Sequence, residues 1–142
     1  MTLPSLTLQK ALYDRLRADP DVTALVGARI YDEVPRGPGN DVRTTKPYIS
    51  LGEDEVLADK AECLDGAEVT LTVHAWSAGP GDVEVKRITA AVKAAIDGAE
   101  DALALAGQRL ILIEFETARH LREPDGITRH GVVTFRALTE RV

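Results

Sequence analysis

Three consecutive stretches near the end of the chain decide its fold: RLILIEFETARHL (109–121), REPDGIT (122–128) and HGVVTFRAL (130–138). The outer two have the apolar and β-branched content of strands, and Pro124-Asp125-Gly126 between them is a strong turn signal. A hairpin is expected. With a register symmetric about Asp125, Phe115 faces Phe135, Thr117 faces Val133 and Ile113 faces Ala137 on one side. On the other, Glu114 faces Arg136, Glu116 faces Thr134 and Leu112 faces Leu138. Apolar residues then meet apolar ones and acid meets base, each pair adding some tenths of a kcal/mol up to about 1. A slip of one residue would send the two phenylalanines to opposite faces.

Upstream, Val69, Leu71, Val73 and Ala75 alternate with Thr70, Thr72, His74 and Trp76, the pattern of a half-buried antiparallel strand with one polar face. Tyr48 to about Val56 reads as another strand, with the acidic segment between the two, and Arg29 to Tyr31 as a brief one. Helical spacing of Leu8, Leu12 and Leu16 predicts a helix from about Pro4 to Ala18. Asp19-Pro20 then reads as an N-cap and first helical position of a short helix ending at Gly27. Val85, Ile88, Val92, Ala95 and Ile96 mark another helix from about Asp82 to Asp97, whereas the period of Glu100 to Ala106 is too short to classify. The expected fold is α+β: a mostly antiparallel sheet of four or five strands with two main helices packed on one face.

At 142 residues and 15.3 kDa, residues 1–142 are expected to form a single domain, burying about two-thirds of the surface of the unfolded chain. Neither the start, Met1-Thr2-Leu3-Pro4, nor any later segment carries the apolar run of about 18 residues needed to span a membrane. A soluble protein made in the cytosol, with no membrane partner, is expected. The net charge is −6, and the segment from Glu53 to Glu68 alone holds seven acids against Lys60. Without a basic stripe, gripping a nucleic-acid backbone is disfavoured, because that affinity comes from Lys and Arg releasing counterions.

Catalytic signals are weak. Cys63, the single cysteine, excludes an intrachain disulfide and sits among carboxylates that disfavour its thiolate. Ser5, Ser50 and Ser77 occupy no nucleophile-elbow pattern, and the two Gly-Pro-Gly turns match no phosphate-binding loop. The hairpin register sets His120 opposite His130, where two imidazoles could share a metal with Glu123 or Cys63; the plainer reading is two exposed histidines beside a turn. His74 is expected to hydrogen-bond Thr70 or Thr72. Trp76, the only tryptophan, falls on the face away from the core, either as an interface residue or tucked under the Gly79–Gly81 turn or the Asp32–Pro47 loop. That loop, broken by Pro35, Gly37, Pro38, Gly39 and Pro47, reads either as a surface connection or as a segment ordered by a partner.

Several strings taken together resemble the tail completion, or tail terminator, proteins of long-tailed phages and related gene transfer agents. They are Ala11-Leu12-Tyr13, the run from Leu25 to Asp32, Pro47 to Gly52, Val73 to Ser77, and Glu123 to Val133. They occur in the family's order and span nearly the whole chain. The resemblance implies an α/β domain that forms a homohexameric ring, caps the last ring of tail-tube subunits and stops tube growth. Such a ring would join the tube to a head-side connector or stopper protein at the head-proximal end of the tail, in a virion or gene transfer agent particle. DNA would pass through it only as cargo. No catalytic residue, metal or cofactor is implied. A head–tail connector or minor tail component of the same particle is the alternative, followed by a small monomeric ligand-binding or enzymatic domain.

A closed ring needs a heterologous contact. The residues expected to supply it are Arg36, Arg43 and Lys46 of the loop, bridging to Asp54 and Asp59 in a neighbour's acidic segment. Thr72, His74 and Trp76 are expected to contribute from the polar strand face.

Overall fold

The computed structural model describes residues 3–59 and 66–142. The first helix, α1 (Pro4–Ala18), begins with proline at its first turn and buries Leu8, Ala11, Leu12 and Leu16 along one stripe. Asp19 ends it and caps α2 (Pro20–Val26), its carboxylate accepting from the Asp21 and Val22 amides at 2.9 and 3.0 Å. A short strand β1 (Ile30–Tyr31) leads through the 32–47 loop into β2 (Tyr48–Asp59). Next come β3 (Gly66–Ser77), α3 (Val83–Ile96), a 3-10 turn at Glu100–Ala102, β4 (Gln108–Arg122) and β5 (Arg129–Arg141).

The strands form one sheet in the order β1-β2-β3-β5-β4. The β1–β2 pair is parallel; the other pairs are antiparallel. All three helices lie on one face of this sheet, and a single apolar core fills the space between. Leu8, Leu12, Val26 and Ile88 from the helices meet Ile49, Val73, Ile113 and Phe135 from the strands, all nearly or fully buried. At Gly131 of β5 a Cβ would stand 2.5 Å from Thr89 of α3, so glycine is what lets that helix press onto the sheet. The other face carries no helix among the described residues. No helix among the described residues is long and apolar enough to cross a membrane.

The α+β class, the sheet and the helix boundaries match the reading of the sequence; two features differ. The hairpin register is symmetric about Asp125 only between two bulges. Leu112, Ile113, Glu114 and Phe115 do face Leu138, Ala137, Arg136 and Phe135. A bulge between Phe115 and Thr117 then moves the turn-proximal half by one residue, so Thr117 faces Thr134, Ala118 faces Val133 and His120 faces Gly131. One unpaired residue is enough to reassign every pair beyond it. The expected Thr117–Val133, Glu116–Thr134 and His120–His130 pairs are therefore not formed. The second difference is the acidic segment, much of which is strand: β2 runs on through Glu53, Asp54, Glu55 and Asp59, and β3 already contains Glu68. Residues 60–65, with Glu62, Cys63 and Asp65, lie outside the described residues.

Candidate partner interface

Because strand side chains alternate, the same pairing that buries one set of residues lines up another on the bare face. Across it, Trp76 stands between Tyr48 and His130, His74 between Ser50 and Val132, and Thr72 beside Thr134. One register further along, Thr70 neighbours Arg136, which neighbours Glu114. Arg136 donates to both Glu68 at 3.0 Å and Glu114 at 3.2 Å, so its one positive charge offsets part of their two negative ones. These two carboxylates also hold its guanidinium pKa above the usual value, Glu68 first.

Toward the hairpin turn the face becomes aromatic. The Trp76 indole lies flat on the His130 imidazole, with ring centres 3.8 Å apart, and Tyr48 stacks at 6.1 Å. Trp76 Nε1 donates to Ser50 Oγ at 3.0 Å, so the indole is fixed at its polar end as well. His74 Nδ1 and His130 Nε2 share a hydrogen bond of 2.7 Å. Each imidazole has a carboxylate at its remaining nitrogen: Glu123 Oε1 is 2.8 Å from His130 Nδ1, and Glu53 Oε1 is 3.4 Å from His74 Nε2. Gly52 makes room for this, since a Cβ there would stand 2.5 Å from the His74 ring. Burial, seconded by the neighbouring His74, lowers the pKa of His130, and Glu123 and Glu53 oppose the shift.

The turn and the 32–47 loop close this end. Asp125 accepts from the Ile127 and Thr128 amides at 2.8 Å each and from Thr128 Oγ1 at 2.7 Å. These bonds, the Thr128 hydroxyl first, lower its pKa to about 2. Lys46 Nζ in turn donates to Thr128 Oγ1 at 2.7 Å, tying the loop to the turn. Burial raises the pKa of Tyr48, a shift that the nearby Arg36 charge opposes. The result is an open cleft of about 430 Å³ between Val42, Thr44, Lys46, Trp76, Glu123 and Thr128.

The residues expected at an interface thus divide. Thr72, His74 and Trp76 share the bare face, and Lys46 reaches its aromatic end. Arg43 is paired with Asp41 at 2.8 Å, and Arg36 donates to the Asn40 carbonyl at 3.0 Å within the same loop. Asp54 accepts from Ser5 of α1, on the helix side, and Asp59 lies at the far end of β2. His74 bonds His130, not Thr70 or Thr72. The expected His120–His130 pair is separated, because His120 Nε2 bonds Thr89 Oγ1 at 2.8 Å instead. No three His, Cys, Asp or Glu side chains converge as metal ligands among the described residues. Isolated patterns put none of Ser50, Glu53, Asp125 and Thr128 on this surface and named Glu123 and His130 only as possible metal ligands beside His120. Five of those six lie in the strings Pro47 to Gly52 and Glu123 to Val133, which the fold sets on either side of β3.

The family of the tail completion protein gp17 matches residues 10–140, nearly the whole chain. The chain belongs to this family. Its relative from Bacillus phage SPP1, tail completion protein gp17, is 25% identical over 134 residues, which are 94% of this chain and 92% of the phage protein. The solved structure of SPP1 gp17 superposes with a TM-score of 0.56 at 22% identity, over 96% of this chain and 91% of that one, and shows the shared fold. A chain in the structure of a native gene transfer agent particle superposes with a TM-score of 0.86 at 32% identity, over 99% of both chains. Tail completion proteins are structural proteins, not an enzyme family. The protein is therefore a tail completion component of a phage or gene transfer agent particle.

Proposed function

We propose that this tail completion protein is the tail terminator: a ring that caps the tail tube at its head-proximal end, stops its polymerisation and joins it to a head-side connector or stopper. The observation that carries this reading is the end-to-end likeness to a chain of the gene transfer agent particle. DNA passes through the ring as cargo. The bare face is the surface offered to a neighbouring copy. Four strands of at least 12 residues give it about 40 Å by about 19 Å, close to the roughly 800 Å² that each partner contributes to a standard interface. Thr72, His74 and Trp76 sit within it. Arg36, Arg43 and Lys46 approach the neighbour from the loop, with Asp54 and Asp59 as their acidic counterparts.

Light scattering on the purified protein across concentration and salt tests the ring: a stable species near six times 15.3 kDa is expected, alone or once tail-tube protein is added. Binding to tube ends supports a terminator, whereas binding only to the connector makes the protein a connector-side component. Monomer under every condition would overturn the assembly reading. An Arg36/Arg43/Lys46→Glu triple variant that still closes rings at physiological salt would remove the loop from the contact.

A further inference from the structure

Glu53, His74, His130 and Glu123 form a line in which every nitrogen of two imidazoles meets a partner, and the count of protons along it is constrained. At 2.8 Å, His130 Nδ1 must carry a hydrogen toward the Glu123 carboxylate, because a lone pair there would face negative oxygen. A neutral His130 then has a bare Nε2, so the 2.7 Å bond is made by the hydrogen on His74 Nδ1. That leaves His74 Nε2 as a lone pair directed at Glu53 3.4 Å away, an unfavourable contact between two acceptors. Adding one proton at this nitrogen completes the line, since each N–H then has an acceptor and both carboxylates are engaged. A second proton has no place. It would set two N–H groups against each other across 2.7 Å, as happens when strongly coupled sites titrate as a pair.

The groups around the line are few. From β2 it faces Glu53, Ser50 and Tyr48; from the turn, Glu123 and Asp125; from the loop, Lys46. On β4 the charged neighbour on this face is Arg119, across Val132, whereas Arg122 is paired with Arg129 on the helix side. Lys46 is bonded to Thr128, and Asp125 is consumed by its own turn. Glu53, on the β2 irregularity between Leu51 and Asp54, is the most exposed member of the line and the one free to swing.

We propose that these four residues form a one-proton switch on the face offered to a neighbouring copy, in which proton uptake at His74 Nε2 draws the Glu53 carboxylate down onto the sheet. Uptake also lowers the negative charge that one acidic chain shows another, so contact between copies tightens as the pH falls. This consequence for assembly rests on the terminator reading; the switch itself does not. Histidine is the side chain suited to such a step between about pH 5 and 8.

Trp76 is the only tryptophan, and its indole also stacks against His74 at 6.0 Å, so its emission reports a charge formed on that ring, because an imidazolium quenches a stacked indole. In the wild-type protein we expect emission to fall through a single one-proton step on acidification. Imidazole nitrogen spectra should place the added proton on His74 Nε2, with His120, bonded to Thr89, as an internal control. Glu53→Gln, at an exposed position, should move the midpoint down by about half a pH unit while the chain stays folded. A flat Trp76 trace, two imidazolium ions formed above about pH 5, or an unmoved midpoint in Glu53→Gln would overturn the switch. Association measured on the same samples should be stronger at the acidic end. If the switch titrates as described but association, where present, ignores pH, control of the contact is refuted. If the switch titrates and no association occurs at any pH, even with tail-tube protein, it is the terminator reading that fails.

Discussion

Along β3, Val69, Leu71, Val73 and Ala75 are at most 4% exposed beneath the helices, while Thr70, Thr72, His74 and Trp76 on the other side remain partly open. The two sets belong to one strand and one backbone ladder. The covered set is held by volume: methyl groups and rings fill a space in which few atoms have polar choices. The bare set is held by direction, through the His74–His130, Trp76–Ser50 and Arg136–Glu68 bonds, which fix side chains in place while leaving them partly in water. Substitutions should therefore act differently on the two sides. On the covered face they change stability, and on the bare face they change what the molecule can meet.

The largest effect should come from the covered face. Phe135 is fully buried, faces Phe115 across the hairpin and packs edge-to-face with it at 6.4 Å. Phe135→Ala leaves a cavity and is expected to cost about 3–5 kcal/mol in urea unfolding followed by Trp76 emission. If the loss were below about 1 kcal/mol, the core would be far more yielding than its burial implies.

A smaller effect, confined to acid, is expected where the turn closes the bare face. The Asp125 carboxyl is lowered from its usual 3.8 to about 2 by the Thr128 and Ile127 bonds. Its folded pKa lies below its unfolded one, so its contribution to stability is present above the unfolded value and is lost as the pH falls through about 2. The Ile127 and Thr128 amide resonances should hold their positions from pH 5 to about 3 and move only below that. In Asp125→Ala these amides should exchange faster at every pH, and the Lys46–Thr128 link should loosen with them. Movement of the wild-type resonances near pH 4 would mean that the turn is not capped as described.

How much of this could be read in the sequence follows the same division. Periodicity showed the covered face well: Leu8, Leu12 and Leu16, the alternation through Ala75, and Ile113, Phe115, Phe135 and Ala137 all lie where spacing puts them. Local chemistry also showed through, as at Asp19 capping α2. What spacing could not show is a bulge. The break between Phe115 and Thr117 leaves no mark in composition, yet it parts His120 from His130. Nor could it show that β3 pairs with β5 across an intervening helix, and that pairing is what sets Trp76 against His130. The resemblance supplied the strings holding Ser50, Glu123, Asp125 and Thr128, but only the fold showed that they meet.

The smallest effect on folding belongs at Thr72, midway along the bare face and paired with Thr134. Its side chain is partly exposed and its β5 neighbour Thr134 is uncharged, so Thr72→Glu should cost less than about 1 kcal/mol in the isolated chain. In an interface the new carboxylate would have to give up its water against another copy, a loss of several kcal/mol in association. Urea unfolding and light scattering on this one variant separate the two quantities. Unchanged folding with lost association would locate the contact on this face. Rings that stay intact in the Thr72→Glu variant would move the contact elsewhere, to the loop or the exposed outer side of α1, and leave the bare face as surface alone.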